Sequence, residues 1–575
     1  MKFGQLLSVV LIAGLVGVAT NVGYTYFTSD KPHPDEVKFN SFLDENWQDT
    51  MEKSPLFASL LGDKRYDDKI SSNSIDDFIA ESEYERYILD VLNEIDPNNL
   101  SVENQLNYRL LKLDYEINLE GREYPGYYMR LNQRGGVQDY YLYGNRLNFV
   151  DLQSYKNWFE RVKGYTQNVR NSLEINREGL ELGYTQPKLV TRGVSAQIGA
   201  MLERDLEDHP YYKIFKSVGE VASAQEAEEL QNEVKDFIQN VLNPTYQELY
   251  DFLVNEYLPK SRDSIGISDV PNGKEWYEYL ARYHTTTDLT PDEIHEIGLR
   301  EVAKIRAEME GIIEQVGWDG DFNSFLQYLR TDPRFYFETG EELLQAYRAM
   351  SKEIDAYMPT LFNKLPRAPY GVIPIPMESA PFTTTAYYNA PSEGRPGYYY
   401  ANLYMPEVRP KYEIPVLSVH EAVPGHHHQI SLAQEMENVP NFRKYLSITA
   451  FVEGWGLYSE QLGESMGIYD DPYDKFGQLT YDMWRAVRLV VDTGMHYKGW
   501  SRDDAVNLFL ENTAKTEQDI NNEVDRYIAW PGQALAYKIG QLKIMELRDK
   551  SKEALGEDFD IKDFHDHILS FGSIP

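Results

Sequence analysis

The sequence predicts a mainly α fold, large and two-lobed, with a small β-sheet close to a candidate metal site. Apolar residues recur at helical spacing through most of the chain, and one tyrosine-rich run bounded by Gly and Pro reads as strand. A histidine-rich segment with a glutamate downstream lies in the C-terminal half. At 575 residues the chain is long enough for one two-lobed unit or two domains.

Residues 1–30 hold one lysine and then no charge from Phe3 to Ser29, with an apolar run from Leu6 to Thr20. This is the pattern of a signal peptide, or of an N-terminal membrane anchor if Gly17-Val18-Ala19 is not cut. Either way the body is exported, to the periplasm or cell envelope. Helical patterns follow over Tyr84–Leu119, Ser154–Leu182, Ser223–Leu258 and Gly340–Leu361. The clearest helix starts with Thr290 as N-cap, Pro291 in the first turn and Glu293 closing a capping box, and Gly317 ends it. His295 on this helix reads as solvated. Gly266 to Gly273 reads as a linker, dividing an N-terminal helical lobe, 31–265, from a C-terminal lobe, 266–575, that carries the metal motif.

A net charge of −36 excludes nucleic acid as a partner and disfavours strongly acidic ligands. With no cysteine, disulfides, thiolate metal sites and a lipid-modified cysteine are excluded as well. Oligomeric state is not legible.

Four of the eleven histidines, His420, His426, His427 and His428, fall within VHEAVPGHHHQI, and Glu421 adjoins the first. Imidazole and carboxylate are what catalytic zinc takes, with three protein ligands and one open position. In His-Glu-x-x-His the histidines stand one helical turn apart with the glutamate as general base. Here the fourth position is Pro424, and the next histidine is His426. Six residues of ideal helix amount to about 600° of rotation and roughly 9 Å of rise, which points the two side chains apart. Pro424 and Gly425 predict a widened or broken turn, such as a π-type bulge, that returns His426 to His420. Whether His426 or His427 is the second ligand stays open. Helix from His426 to about Glu437, a break at NVPN, and a second helix from about Phe442 form an antiparallel pair that brings back Glu453, with Glu460 as fallback.

HEAVPGHHHQ, FVEGWGLYSE, RLVVDTGMHYKGW and EVDRYIAWPGQALAYKIGQLKI together resemble the bacterial proteins grouped as "domain of unknown function 885". Nearly all of the chain after the leader shares the resemblance, which extends to gluzincin metallopeptidases. It implies a metallopeptidase-like fold, one zinc ion on His420, His426 and Glu453, and Glu421 as base. A zinc peptidase needs a further donor for the tetrahedral intermediate; the candidates are His496, oriented by Asp492, and Tyr527 or Tyr537 beside Pro531-Gly532. Gluzincins lay an extended peptide on an edge strand, which places the substrate on Gly394–Pro406, at Tyr399 and Asn402. Arg485 and Arg488 can hold a terminal carboxylate. The expected activity is hydrolysis of short peptides by a carboxypeptidase or dipeptidase. Hydrolysis of another amide or ester, and a non-catalytic envelope binding protein, are the alternatives.

Overall fold

Helical periodicity is realised as a mainly helical fold with one small sheet in the computed structural model, which describes residues 31–377 and 379–575. The leader lies outside the described residues. No helix among the described residues is long and apolar enough to cross a membrane. In the N-terminal part, α1 (Leu152–Leu182) starts on an Asp151 capping box and buries Trp158, Val162 and Val169. The predicted helix over Tyr84–Leu119 is two helices, because Pro97 sits in the turn between them.

After residue 265 the segment read as a linker is anchored in the core at its apolar residues, while Asp269, Pro271 and Asn272 are exposed. Ile267 and Val270 are core residues beneath α2 (Gly273–Thr285). α3 (Pro291–Gln315) begins on the predicted Thr290–Glu293 capping box. Contrary to expectation, His295 is buried on α3, hydrogen-bonded to Thr493 at 2.8 Å. α4 (Gly340–Asp355) precedes the sheet of β1 (Tyr370–Pro374), β2 (Ala386–Asn389) and β3 (Gly397–Ala401). Strand order is β1-β3-β2, with β3 parallel to β1 and antiparallel to β2. The tyrosine-rich run is therefore the central strand rather than an edge. β2 is an edge, its far side pairing with no strand among the described residues.

The rest is helical: α5 (Ile414–Glu421), α6 (His426–Gln434), α7 (Thr449–Met466), α8 (Pro472–Tyr497), α9 (Glu517–Ala529) and α10 (Ala536–Leu555). α3 packs along α8, and α7 along α10. α5 is buried all round, as its apolar IPVLSV requires. α8 is buried from Phe476 to His496, so its polar side chains need partners inside the protein. Lys538 reaches Asp482 at 2.7 Å and Glu301 at 3.0 Å, and Tyr277 donates to Asp492 at 2.5 Å.

Burial raises the Asp492 carboxyl to about 7. Folded Asp492 thus keeps a proton that the unfolded chain releases near 3.8, and the stability it contributes is full below 3.8 and lost as pH rises through 7. Asn cannot ionise and escapes that loss. Asp492→Asn should therefore gain on the wild type between pH 5 and pH 8, by on the order of 2 kcal/mol. Urea unfolding of both at each pH checks this; an offset that does not change with pH would refute it.

Candidate metal centre

The turn is broken rather than bulged, so two helices carry the histidines. α5 ends at Glu421, and four residues, including a cis Val423–Pro424 peptide, turn the chain into α6 at His426. Gly425 donates to Val419 O at 2.9 Å, and a Cβ on it would lie 2.0 Å from His420 O, so only glycine fits. Trp455 Nε1 donates to Pro424 O at 2.8 Å and ties this turn to α7. The helix pair that returns Glu453 is interrupted by a short third helix. α6 ends at Gln434, a short helix spans Asn441–Tyr445, and α7 starts only at Thr449, with Glu453 on its second turn.

One ligand atom from each of His420, His426 and Glu453 lies within 4.8 Å of the others. Glu453 Oε2 stands 3.7 Å from His420 Nε2 and 3.4 Å from His426 Nε2. Burial works to raise the Glu453 carboxyl, but the two imidazoles overcome it and hold it well below the usual range. His420 Nδ1 donates to Glu460 Oε1 at 2.8 Å, which leaves the Nε2 lone pair facing a carboxylate oxygen. Two acceptors face each other with no hydrogen between them unless a cation joins them. Burial disfavours the imidazolium, yet Glu453 and Glu460 raise His420 to about 9, so the pair attracts a cation, proton or metal. Glu453 Oε2 has no hydrogen-bond partner in a buried setting, and this donor set fits zinc. Glu460, read as a fallback ligand, instead orients His420 from behind.

His427 and His428 point elsewhere. His427 Nε2 donates to Ala368 O at 3.0 Å, and its Nδ1 accepts from Tyr388 Oη at 2.8 Å. His428 is buried against Phe362, the ring centroids 4.3 Å apart. The structure thus brings together His426, not His427, with His420.

The ring of His420 lies against α7 at Gly456, where a Cβ would come within 2.8 Å of Cε1 and 3.0 Å of Nε2. Gly456→Ala would favour the helix by up to about 1 kcal/mol yet displace the imidazole. Zinc affinity should fall at least about tenfold, read by competition with a chromophoric chelator. An unchanged affinity would refute the close fit.

The three residues line one cavity that opens to solvent. Glu421 joins them, its Oε2 unpartnered and its carboxyl pushed up by burial. Thr384 to Tyr388 of the β2 segment form one wall, and Arg485 and Arg488 of α8 another. Tyr537, Arg526, Glu523 and Trp530 close the far end, with Arg134 from the N-terminal part. Arg485 donates to Tyr481 O at 3.3 Å and lies 3.5 Å from Glu460. Arg488 donates to Tyr527 Oη at 2.7 Å and Glu523 Oε2 at 2.8 Å, while its buried Nη1 has no partner.

Four sequence candidates take other places. His496 is fully buried, accepting from Ile267 N at 3.1 Å and donating to Tyr527 O at 2.9 Å. Burial lowers it to about 4, and both nitrogens are spent on backbone, so it anchors α8 instead of reaching a substrate. Asp492 does not orient it; its Oδ1 accepts from Tyr277 and Gly532 N. Tyr527 is fully engaged, donating to Glu523 at 2.7 Å and accepting from Trp484 at 3.0 Å as well as Arg488. Of the tyrosine pair only Tyr537 lines the cavity. Tyr399 is buried beneath the sheet against Tyr347. Asn402 is buried too, and its Nδ2 donates to Ala380 O, Thr383 O and Thr384 O at 2.8–3.0 Å. Asn402 therefore holds the approach to β2 in place and does not contact the cavity. Glu523, Arg526 and Tyr527 share one helix face in the sequence, a signal of this polar cluster; Arg134 and Tyr388 have none.

A mainly helical chain with a two-histidine, one-glutamate cluster at the floor of an arginine-walled cavity is the class defined here. It belongs to the family described as bacterial protein of unknown function (DUF885), whose profile matches residues 55–575. It is similar to a "putative lipoprotein" from Colwellia psychrerythraea, with 27% identity, a TM-score of 0.89, and coverage of 94% of this chain and 97% of that one. It also shares the fold of a "putative lipoprotein of unknown function" from Shewanella oneidensis, at 17% identity and TM-score 0.71 over 93% of this chain and 97% of that one. No curated protein matches.

Proposed function

We propose that this chain is an exported zinc-dependent peptidase that removes residues from the C-terminal end of short peptides, as a carboxypeptidase or dipeptidase does. The observation that carries the reading is the convergence of His420, His426 and Glu453 beside a buried, unpartnered Glu421 carboxylate in one cavity. Export is supported by the apolar run within residues 1–30 and by the description of the similar Colwellia protein as a "putative lipoprotein".

His420, His426 and Glu453 would hold the zinc, which when bound would supply Lewis acidity to a water and to a scissile carbonyl. Glu421 would take a proton from the attacking water and pass it to the leaving amine, and its carboxyl, raised by burial, suits both duties. Tyr537 donates to the developing oxyanion from the cavity wall. β2 offers its unpaired edge to an extended peptide, which binds through main-chain groups and tolerates varied side chains. The free Nη1 of Arg488 receives the terminal carboxylate.

A mixed peptide library, digested by the zinc-loaded protein and read by mass spectrometry, tests the reading. Short C-terminal products are expected, and amidating the C-terminus should slow cleavage by roughly 10–100-fold, the worth of one lost charged hydrogen bond. No cleavage of any peptide at full zinc occupancy would sink the proposal and leave another amide or ester, or a binding role.

A further inference from the structure

Behind the metal cavity lies a larger, open chamber set between the N-terminal helices and α2. Trp530 lines both spaces. It sits on the turn between α9 and α10, is 48% exposed, and packs edge-on to His284 at 6.3 Å on the chamber side. An indole so exposed at the meeting of two cavities is poorly explained as core.

The chamber is basic in a chain of net charge −36. Arg86 is exposed and has no charged partner among the described residues. Arg130 is also exposed; its guanidinium lies over the Phe78 ring at 4.2 Å, with Glu81 as its nearby opposite charge, and its N–H groups make no hydrogen bond among the described residues. Arg262 donates only to the carbonyls of Thr185, Ser264 and Gly266, not to a carboxylate. Arg122 is offset by Glu81 at 3.0 Å and Glu85 at 2.7 Å, and the one carboxylate on the chamber wall is Glu83. Aromatic faces floor it, with Tyr124 stacked on Trp276 at 5.8 Å and on Tyr279 at 5.4 Å.

We propose that this chamber is a second binding site, which takes an acidic segment of a peptide that passes Trp530. Low-dielectric walls with an excess of one sign focus the field inside a cleft, and the arginines outnumber the carboxylate on this wall, so the surface a ligand meets there is opposite in sign to the molecule as a whole. The ordinary expectation from net charge, that acidic peptides are repelled, is thereby reversed at this site. The inference rests on the peptidase reading only for the peptide nature of the ligand.

Binding rather than cleavage is the test, on full-length protein carrying Glu421→Gln so that nothing is hydrolysed. Fluorescence anisotropy would follow a labelled glutamate-rich hexapeptide and its glutamine and lysine counterparts. The glutamate peptide should bind at least about tenfold more tightly than the glutamine one at low salt, the margin shrinking as ionic strength rises. Arg86→Gln with Arg130→Gln, both exposed and expected to fold, should reduce that margin to about twofold. Trp530→Ala should weaken the glutamate peptide and leave a zinc titration unchanged. Equal binding of the three peptides, or a margin that survives the double arginine variant, overturns the proposal. Preference for the glutamate peptide in a protein that cleaves nothing would leave the chamber standing and remove the peptidase reading.

Discussion

Glu421→Gln should lower kcat for peptide cleavage by about 10²–10⁴-fold while zinc content stays at one per chain. The carboxylate lies in the metal cavity beside His420, with Oε2 unpartnered, so replacing it breaks no hydrogen bond of the fold. Gln fills the same space without a basic oxygen, and loss of rate at constant zinc isolates proton transfer from metal binding. Turnover assays with metal analysis on the same preparation decide it. A variant that keeps its rate would move the base to another group, and among the groups lining the cavity Glu523 is the next carboxylate. That outcome would be surprising, because burial works to raise Glu523 while Arg526 and Arg488 hold it far below the usual range, which makes it a poor acceptor of protons.

What was legible in the sequence follows the range of the forces involved. Helix starts are local: Thr290 and Glu293 are three residues apart and close the capping box they imply. The metal cluster was legible because His420, Glu421 and His426 are near neighbours and Glu453 is one helix away. The backbone that joins them was not, since helical rise predicts nothing once α5 ends at Glu421. Strand order failed for a related reason. GYYYA is a stronger strand pattern than AYYN because it is buried on alternate residues, and burial goes with the central position, so the edge that can meet a ligand is the segment with the weaker signal. His295 and His496 look like free histidines only while Thr493 and the Ile267 amide are unknown. The arginine wall depends on Arg134, Arg485, Arg488 and Arg526 meeting from three parts of the chain, and no local rule reaches that far.

Buried charge in this wall also constrains how it can be tested. Glu523 accepts from Arg488, Arg526 and Tyr527, so removing it strands two guanidinium groups, a loss on the order of 3–5 kcal/mol. Arg488→Gln is the milder change, because Tyr527 and Arg526 still serve Glu523.

His426→Ala should abolish stoichiometric zinc binding and with it peptide cleavage, whereas His427→Ala should retain both. The two residues are adjacent in sequence and both buried, so local disruption or loss of a polar side chain would affect them alike. Geometry separates them. His426 Nε2 is 3.4 Å from Glu453 Oε2, while His427 is spent on Ala368 O and Tyr388. Losing one of the three proposed zinc ligands would leave a two-residue site, and affinity should drop by at least about 100-fold, more than the 10–100-fold typical of an outer-shell partner. Glu460→Gln provides that outer-shell comparison, since it weakens the hold on His420 Nδ1 without removing a ligand. Zinc content after dialysis against a weak chelator, measured by mass spectrometry, ranks the three variants. Retention order should run His427→Ala, then Glu460→Gln, then His426→Ala. Zinc lost from His427→Ala but kept by His426→Ala would move the second ligand one residue along α6 and overturn the metal centre as described.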